Sequence, residues 1–218
     1  MRNYDTVLYD LDGTLIDSVR LILDSYHHTL DTHGFPPRTD SYWLEGLGTP
    51  LRRQFAEWAD DETLMTEMIA TYREYNLHHH DSVVTPYPGI VDVVGAVRAA
   101  GCRTALVTSK NRYGAGRGLT LVGLESMFDL LVCADDVDNP KPHPEPVHRA
   151  LKDLDADPER TVFVGDSVHD MHSGRAAGVK TAAVLWGPFD REDLAVTEPD
   201  HWLEEPEDLR HLVLGDGG

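Results

Sequence analysis

Residues 7–18 read VLYDLDGTLIDS: an apolar run, Val7-Leu8-Tyr9, that ends on two aspartates, Asp10 and Asp12, and breaks at once on Gly13-Thr14. The apolar run has the make-up of a buried strand. On a strand, residues two apart point to the same side, so Asp10 and Asp12 project together. Like charges on one face repel, so the pair calls for a compensating group elsewhere in the chain. Gly13 lets the backbone turn sharply. Taken alone, the motif is accounted for equally well by an Asx-turn closing an edge strand, with both aspartates as solvated caps.

Working outward, strand-like runs recur at Arg103-Thr108, Leu130-Ala134, Thr161-Gly165 and Thr181-Leu185. Helical stretches separate them at Ile90-Ala100, Asn111-Val122, Glu145-Leu154 and Val168-Ala177. That alternation implies an α/β fold, a doubly wound parallel sheet covered on both faces. The gap between the first strand and the second, about 90 residues, is too long for a plain crossover. Within it Ser18-Gly34, Pro50-Trp58 and Glu62-Leu77 read as helices, and Thr85-Pro86-Tyr87-Pro88-Gly89 reads as a stiff exit. Residues 15–84 therefore read as a helical insertion on a core made of 1–14 and 85–218. In that insertion Trp58, Tyr72 and Tyr75 read as core. His78-His79-His80-Asp81 reads as a solvated end, because consecutive helix positions point in different directions. The closing Gly-Asp-Gly-Gly reads as a flexible tail.

The composition, 41% hydrophobic and 26% charged over 218 residues, is that of an ordinary globular protein. No apolar run approaches the roughly 18 residues of a membrane helix. The chain enters a strand-like pattern directly, so no signal peptide is expected. Cys102 and Cys133 read as small core residues of a protein in a reducing cytoplasm. A net charge of −19 argues against a nucleic-acid partner, which needs a basic stripe. Only four lysines stand against fifteen arginines, so a lysine in a motif stands out.

Lys141 is such a lysine, held between prolines in Asn139-Pro140-Lys141-Pro142-His143-Pro144. The second strand ends in Thr108-Ser109-Lys110-Asn111 and the fourth in Gly165-Asp166-Ser167-Val168-His169-Asp170. In open α/β sheets such strand ends face one crevice. Asp10, Asp12, Asp166 and Asp170 with Lys141 leave that crevice net negative, which calls for a hard divalent cation such as Mg²⁺. With the cation in place the site can take a phosphate dianion.

Asp10-Leu11-Asp12-Gly13-Thr14, Thr108, Lys141 and Gly165-Asp166-Ser167-Val168-His169-Asp170 resemble, in order and across essentially the whole chain, the four motifs of the haloacid dehalogenase superfamily. The insertion is similar to its C1 type of cap. Within the superfamily the chain most resembles the phosphoglycolate phosphatase-like group. Val107-Thr108-Ser109-Lys110, Asp135-Asp136-Val137 and Pro142-His143-Pro144-Glu145-Pro146-Val147 are similar to its pyrophosphatase branch. His143 stands where the family has Asp.

The resemblance implies a Mg²⁺-dependent phosphatase acting on a small phosphorylated metabolite, as a monomer or homodimer. Asp10 would be the nucleophile and Asp12 the general acid and base. Mg²⁺ would be held by Asp10, the Asp12 carbonyl and Asp166, with Asp170 in support. Gly13, Thr108 and the backbone N–H groups of Ser109 and Lys110, at a helix start, would meet the phosphate with Lys141. Dehalogenases of the family typically lack the second aspartate, so Asp12 favours phosphoryl transfer. A pyrophosphatase and a β-phosphoglucomutase-like mutase share these motifs. A phospho-ligand sensor needs no nucleophile and acid pair. For substrate choice, Thr49 as N-cap, Pro50 as first helical residue and Arg52 or Arg53 would stand over the crevice and read a second anionic group.

Overall fold

In the computed structural model, which describes residues 2–215, six strands form one sheet in the order β5-β4-β1-β6-β7-β8. They are β1 (Thr6–Tyr9), β4 (Arg103–Val107), β5 (Leu130–Val132), β6 (Thr161–Gly165), β7 (Lys180–Val184) and β8 (His201–Leu203). Every pairing in this sheet is parallel. The last three residues of the Gly-Asp-Gly-Gly tail lie outside the described residues.

The central strand shows why the sheet must be covered twice. Val7, Leu8 and Tyr9 are all fully buried. Val7 and Tyr9 pack on one face with Val94 of α5 (Ile90–Ala99), Leu119 of α6 (Arg112–Leu121) and Leu209 of α10 (Pro206–Leu214). Leu8 points the other way, to Val147 and Ala150 of α7 (Glu145–Asp153). α8 (Val168–Ala176) follows β6, and the short α9 (Arg191–Ala195) precedes β8. From β1 the chain winds outward through β4 and β5, then returns to β6 on the opposite side of β1. The order reverses between β1 and β6, and that is where an open sheet leaves its crevice.

Between β1 and β4 lies a helical segment: α1 (Val19–Thr32), α2 (Asp40–Glu45), α3 (Leu51–Gln54) and α4 (Glu62–Val83). Its two connections pair with each other as antiparallel β2 (Ile16–Asp17) and β3 (Thr85–Pro86). The segment has its own core, built on aromatic rings: Tyr26 stacks on Trp43 at 4.3 Å, and Phe55 meets both edge-on. Trp58 and Tyr72 join that cluster, and Tyr75 is partly buried.

Several elements differ from the sequence reading. The expected Pro50-Trp58 helix stops at Gln54, because Phe55 and Trp58 turn inward to the aromatic cluster. α4 runs on past Leu77 to Val83 and carries the histidine run with it. His80 is consequently fully buried rather than solvated, its Nδ1 2.8 Å from Asp81 Oδ1. α2, the β2–β3 pair and the final β8 and α10 carry periods too short or too mixed for the pattern to reveal. Cys102 and Cys133 are free and buried.

Candidate active site

Asp10 is the first residue past β1, and its N–H donates to Val164 O of β6 at 2.9 Å, which fixes it at the switch point. The chain then coils tightly: the N–H groups of Thr14, Leu15 and Ile16 all donate to Leu11 O. Gly13 has φ +82°, and a Cβ there would lie 2.5 Å from Asp166 Oδ2. Only glycine meets both demands. Thr14 Oγ1 donates to Asp166 Oδ1 at 2.8 Å, so the first loop and the end of β6 hold each other.

Lys141 reaches the same point from the loop after β5, with its side chain almost wholly buried. Its Nζ lies 2.5 Å from Asp170 Oδ1, 3.2 Å from Val107 O and 2.9 Å from Asp10 Oδ1. The last contact is an ion pair without hydrogen-bond alignment, so Asp10 Oδ1 is buried with no hydrogen bond among the described residues. Burial opposes the lysine charge, but Asp10 and Asp170 outweigh it and hold the ammonium firmly protonated. Asp170 is spoken for on both oxygens. Its Oδ2 accepts from Ser167 N and Oγ, closing the N-terminal capping box of α8.

Burial pushes the Asp10 carboxyl up to about 7, with Lys141 opposing and Asp170 adding to the rise. Asp166 is driven well above the usual carboxylate range, by burial first and then by Asp170 and Asp10. Asp10, Asp166 and Asp170 each bring a carboxylate oxygen within 4.8 Å of the others, all three residues buried. An all-oxygen, anionic cluster with one oxygen left unbonded fits a hard divalent cation.

Asp12 faces a different partner. Its Oδ1 accepts from Lys110 Nζ at 2.7 Å and from Ser18 Oγ at 2.6 Å. Oδ2 has no partner among the described residues. Thr108, at the end of β4, accepts the Lys110 N–H on its Oγ1 at 3.2 Å. α6 begins only at Arg112, with Asn111 as its N-cap, so Ser109 and Lys110 precede the helix rather than open it. Ser109 Oγ is buried without a partner among the described residues. Asp10, Asp12, Thr108, Ser109, Lys110 and Asp166 form the sheet-side wall of a cavity of about 410 Å³. Lys141 and Asp170 lie behind that wall.

On the helical side the sequence reading is corrected. Thr49 is not an N-cap: its Oγ1 donates to Gly46 O, and α3 follows Pro50 instead. Arg52 touches the cavity, but its guanidinium makes a two-pronged pair with Glu62 at 2.9 and 2.5 Å. Arg53 is exposed and is not part of the lining. His143 is exposed and accepts the Glu145 N–H on Nδ1, a local support for the start of α7. Tyr26, Arg73 and Asn76, overlooked in sequence, line the cavity, as does Tyr72, which the sequence assigned to the core alone. The signal was present in the spacing, since Ile69, Tyr72, Arg73, Asn76 and Leu77 fall on one helical face.

Residues 7–184 match the model of the haloacid dehalogenase-like hydrolases. The chain belongs to that family. Among its relatives, the pyrophosphatase PpaX of Anoxybacillus flavithermus is 44% identical over 97% of both chains. The pyrophosphatase PpaX of Halalkalibacterium halodurans is 42% identical over 96% of both. A solved structure described as a predicted phosphoglycolate phosphatase, from Haemophilus somnus, superposes with a TM-score of 0.85 at 22% identity, covering 96% of this chain and 97% of that one. The haloacid dehalogenase-like chain is thus a phosphatase of this family, with a mostly parallel α/β core. No helix among the described residues is long and apolar enough to cross a membrane.

Proposed function

We propose that this phosphatase is a Mg²⁺-dependent pyrophosphatase of the cytoplasm, splitting pyrophosphate through an aspartyl-phosphate on Asp10. The observation that carries the substrate is the likeness to two proteins named pyrophosphatase PpaX, which extends over nearly the whole length of each. Phosphoglycolate, the first reading of the sequence, has the support of fold likeness alone, at 22% identity.

Asp10, the Asp12 carbonyl and Asp166 would hold the cation, with Asp170 behind them. Once bound, it supplies positive charge that offsets the phosphate oxygens and the converging carboxylates. The chemistry belongs to the side chains. An Asp10 oxygen attacks the nearer phosphorus while the bond from that phosphorus to the bridging oxygen breaks. Asp12 gives its proton to the departing phosphate. Asp12 then takes a proton from water, the water oxygen attacks the phosphorus of the aspartyl-phosphate, and orthophosphate leaves with Asp10 restored. Lys110 and Ser18 hold Asp12 by Oδ1, which leaves Oδ2 to carry that proton in both directions. Lys141 steadies the Asp10 carboxylate from behind. Thr108 and Ser109, at the cavity wall, meet the phosphate oxygens.

The test is incubation with Mg²⁺ and pyrophosphate, phosphoglycolate, a hexose 1-phosphate or p-nitrophenyl phosphate, reading free phosphate and, for the sugar, isomerised product. Pyrophosphate should show the highest kcat/KM. A tenfold preference for phosphoglycolate would return the substrate to the sequence reading. Isomerised sugar phosphate without free phosphate would make the chain a mutase, and binding with no turnover of any compound would make it a sensor.

A further inference from the structure

The wall of the cavity opposite Asp10 comes from two helices. α1 contributes Ile22 and Tyr26, four residues apart, and α4 contributes Ile69, Tyr72, Arg73 and Asn76. Three polar side chains in this wall are more than nine-tenths buried: Tyr26 at 3%, Tyr72 at 8% and Asn76 at 6% exposure. Buried polar groups are ordinarily hydrogen-bonded. Asn76 is half satisfied, its Nδ2 donating to Ser25 Oγ at 3.1 Å. The Tyr26 and Tyr72 hydroxyls have no hydrogen-bond partner among the described residues, although their rings pack together at 4.9 Å. Both residues line the cavity that Asp12 also lines, so two phenols without a partner among the described residues border the space where the substrate would sit.

Charge points to the same place. Lys110, Arg52 and Arg73 are the cations of the cavity lining. Lys110 is paired with Asp12 and Arg52 with Glu62. Arg73 has no carboxylate partner among the described residues. Arg73 is therefore the lining cation left over for a phosphate on the α4 side of the cavity. Ile22 and Ile69 give that wall an apolar border, while Arg73 itself is exposed to solvent.

We propose that Tyr26, Tyr72 and Arg73 form the leaving-group subsite, in which two phenol donors and one guanidinium bind the phosphate that is not transferred to Asp10. This rests on the pyrophosphatase reading for its natural ligand, while its chemistry, recognition of a second phosphate-like dianion, is read from the wall itself. Asn76 shapes the floor of the subsite through its bond to Ser25. Thr49 and Arg52, which the sequence assigned to substrate choice, border the same cavity, and Arg53 does not.

The probe is methylenediphosphonate, a pyrophosphate analogue with no cleavable bridge, used as an inhibitor of p-nitrophenyl phosphate hydrolysis in the full-length enzyme with Mg²⁺. Orthophosphate, which fills only the transfer site, is the reference inhibitor. Arg73→Gln should raise the ratio of the diphosphonate Ki to the orthophosphate Ki about tenfold, the loss of a charge-assisted contact. Tyr26→Phe and Tyr72→Phe, which keep the rings of the aromatic core, should each raise it roughly threefold to tenfold. Arg73→Lys should recover part of the loss, since a point charge returns without the fork. A ratio within twofold of the parent in all three variants overturns the subsite. Absence of pyrophosphate turnover in the parent, with the ratio still raised in the variants, overturns the pyrophosphatase reading and sustains the subsite.

Discussion

The Lys141 ammonium lies 2.9 Å from Asp10 Oδ1, with both side chains almost completely buried. Among the described residues no other cation touches Asp10, and the same ammonium serves Asp170. Removing one member of a buried pair leaves the other charge without compensation. Lys141→Met should therefore cost about 3–5 kcal/mol of folding stability, read from urea unfolding, as well as activity. A loss under about 1 kcal/mol would show that Asp10 and Asp170 find protons or water in its place.

Asp10 itself should behave in the opposite way. Its carboxyl is pushed up to about 7 by burial against the opposition of Lys141. A folded-state pKa above the unfolded value means that the folded protein binds the extra proton. Stability is then full at pH below about 4 and is lost as pH rises toward about 7. Asp10→Asn removes the titrating group while leaving Asp170 as the partner of Lys141. The metal-free variant should be more thermostable than the parent at pH 8 and should lose less stability between pH 4 and 7. Its turnover should fall more than about a hundredfold, a barrier rise above about 2.7 kcal/mol. Equal melting temperatures at pH 8 would refute the strain placed on Asp10, and retained turnover would refute the nucleophile.

Asp12 is tested by the leaving group. A proton donor matters most when the departing oxygen is strongly basic. Asp12→Ala should slow hydrolysis of an alkyl phosphate far more than that of p-nitrophenyl phosphate. Equal losses for both substrates in Asp12→Ala would deny Asp12 the proton-transfer role.

The sheet was legible because Val7-Leu8-Tyr9, Leu106-Val107 and Val162-Phe163-Val164 are short apolar runs buried on both faces, each followed by polar residues. The polar ends announced Asp10 and Asp166 because a strand end is where an open sheet keeps its chemistry, and Lys141 stood out as a rare lysine held between prolines. The wall opposite was harder to read. Tyr26 and Tyr72 serve the aromatic core and the cavity at once, so spacing alone assigns them to the core. Thr49 and Arg52 had the look of a capped, basic helix start, but α3 is only four residues long and Arg52 spends its charge on Glu62. His80 looked solvated because its neighbours are polar, yet it packs near Ile16 and Leu11 around Gly118. Which face of α4 meets the sheet depends on the paired connections β2 and β3, and two-residue strands leave no periodic trace.

Cation binding should be visible without turnover. Asp10, Asp166 and Asp170 crowd three carboxylates into one buried cluster, and a divalent cation relieves that repulsion only in the folded state. Adding Mg²⁺ to EDTA-treated protein at about 100 times its Kd should stabilise it by roughly 2.7 kcal/mol. For a chain of this size that is a melting-temperature rise of roughly 5–10 °C. Asp166→Ala should abolish the rise while removing part of the carboxylate repulsion from the metal-free state. The effect should also depend on pH, because the cation competes with protons for the ligands. Asp10 is held up to about 7, and burial with the neighbouring carboxylates raises Asp166 in the same direction. Below pH 6 the folded protein therefore keeps protons that Mg²⁺ must displace, and above pH 8 it keeps fewer. The rise should be larger at pH 8 than at pH 6. A rise that is equal at the two pH values, or that survives in Asp166→Ala, would place the cation somewhere other than this cluster.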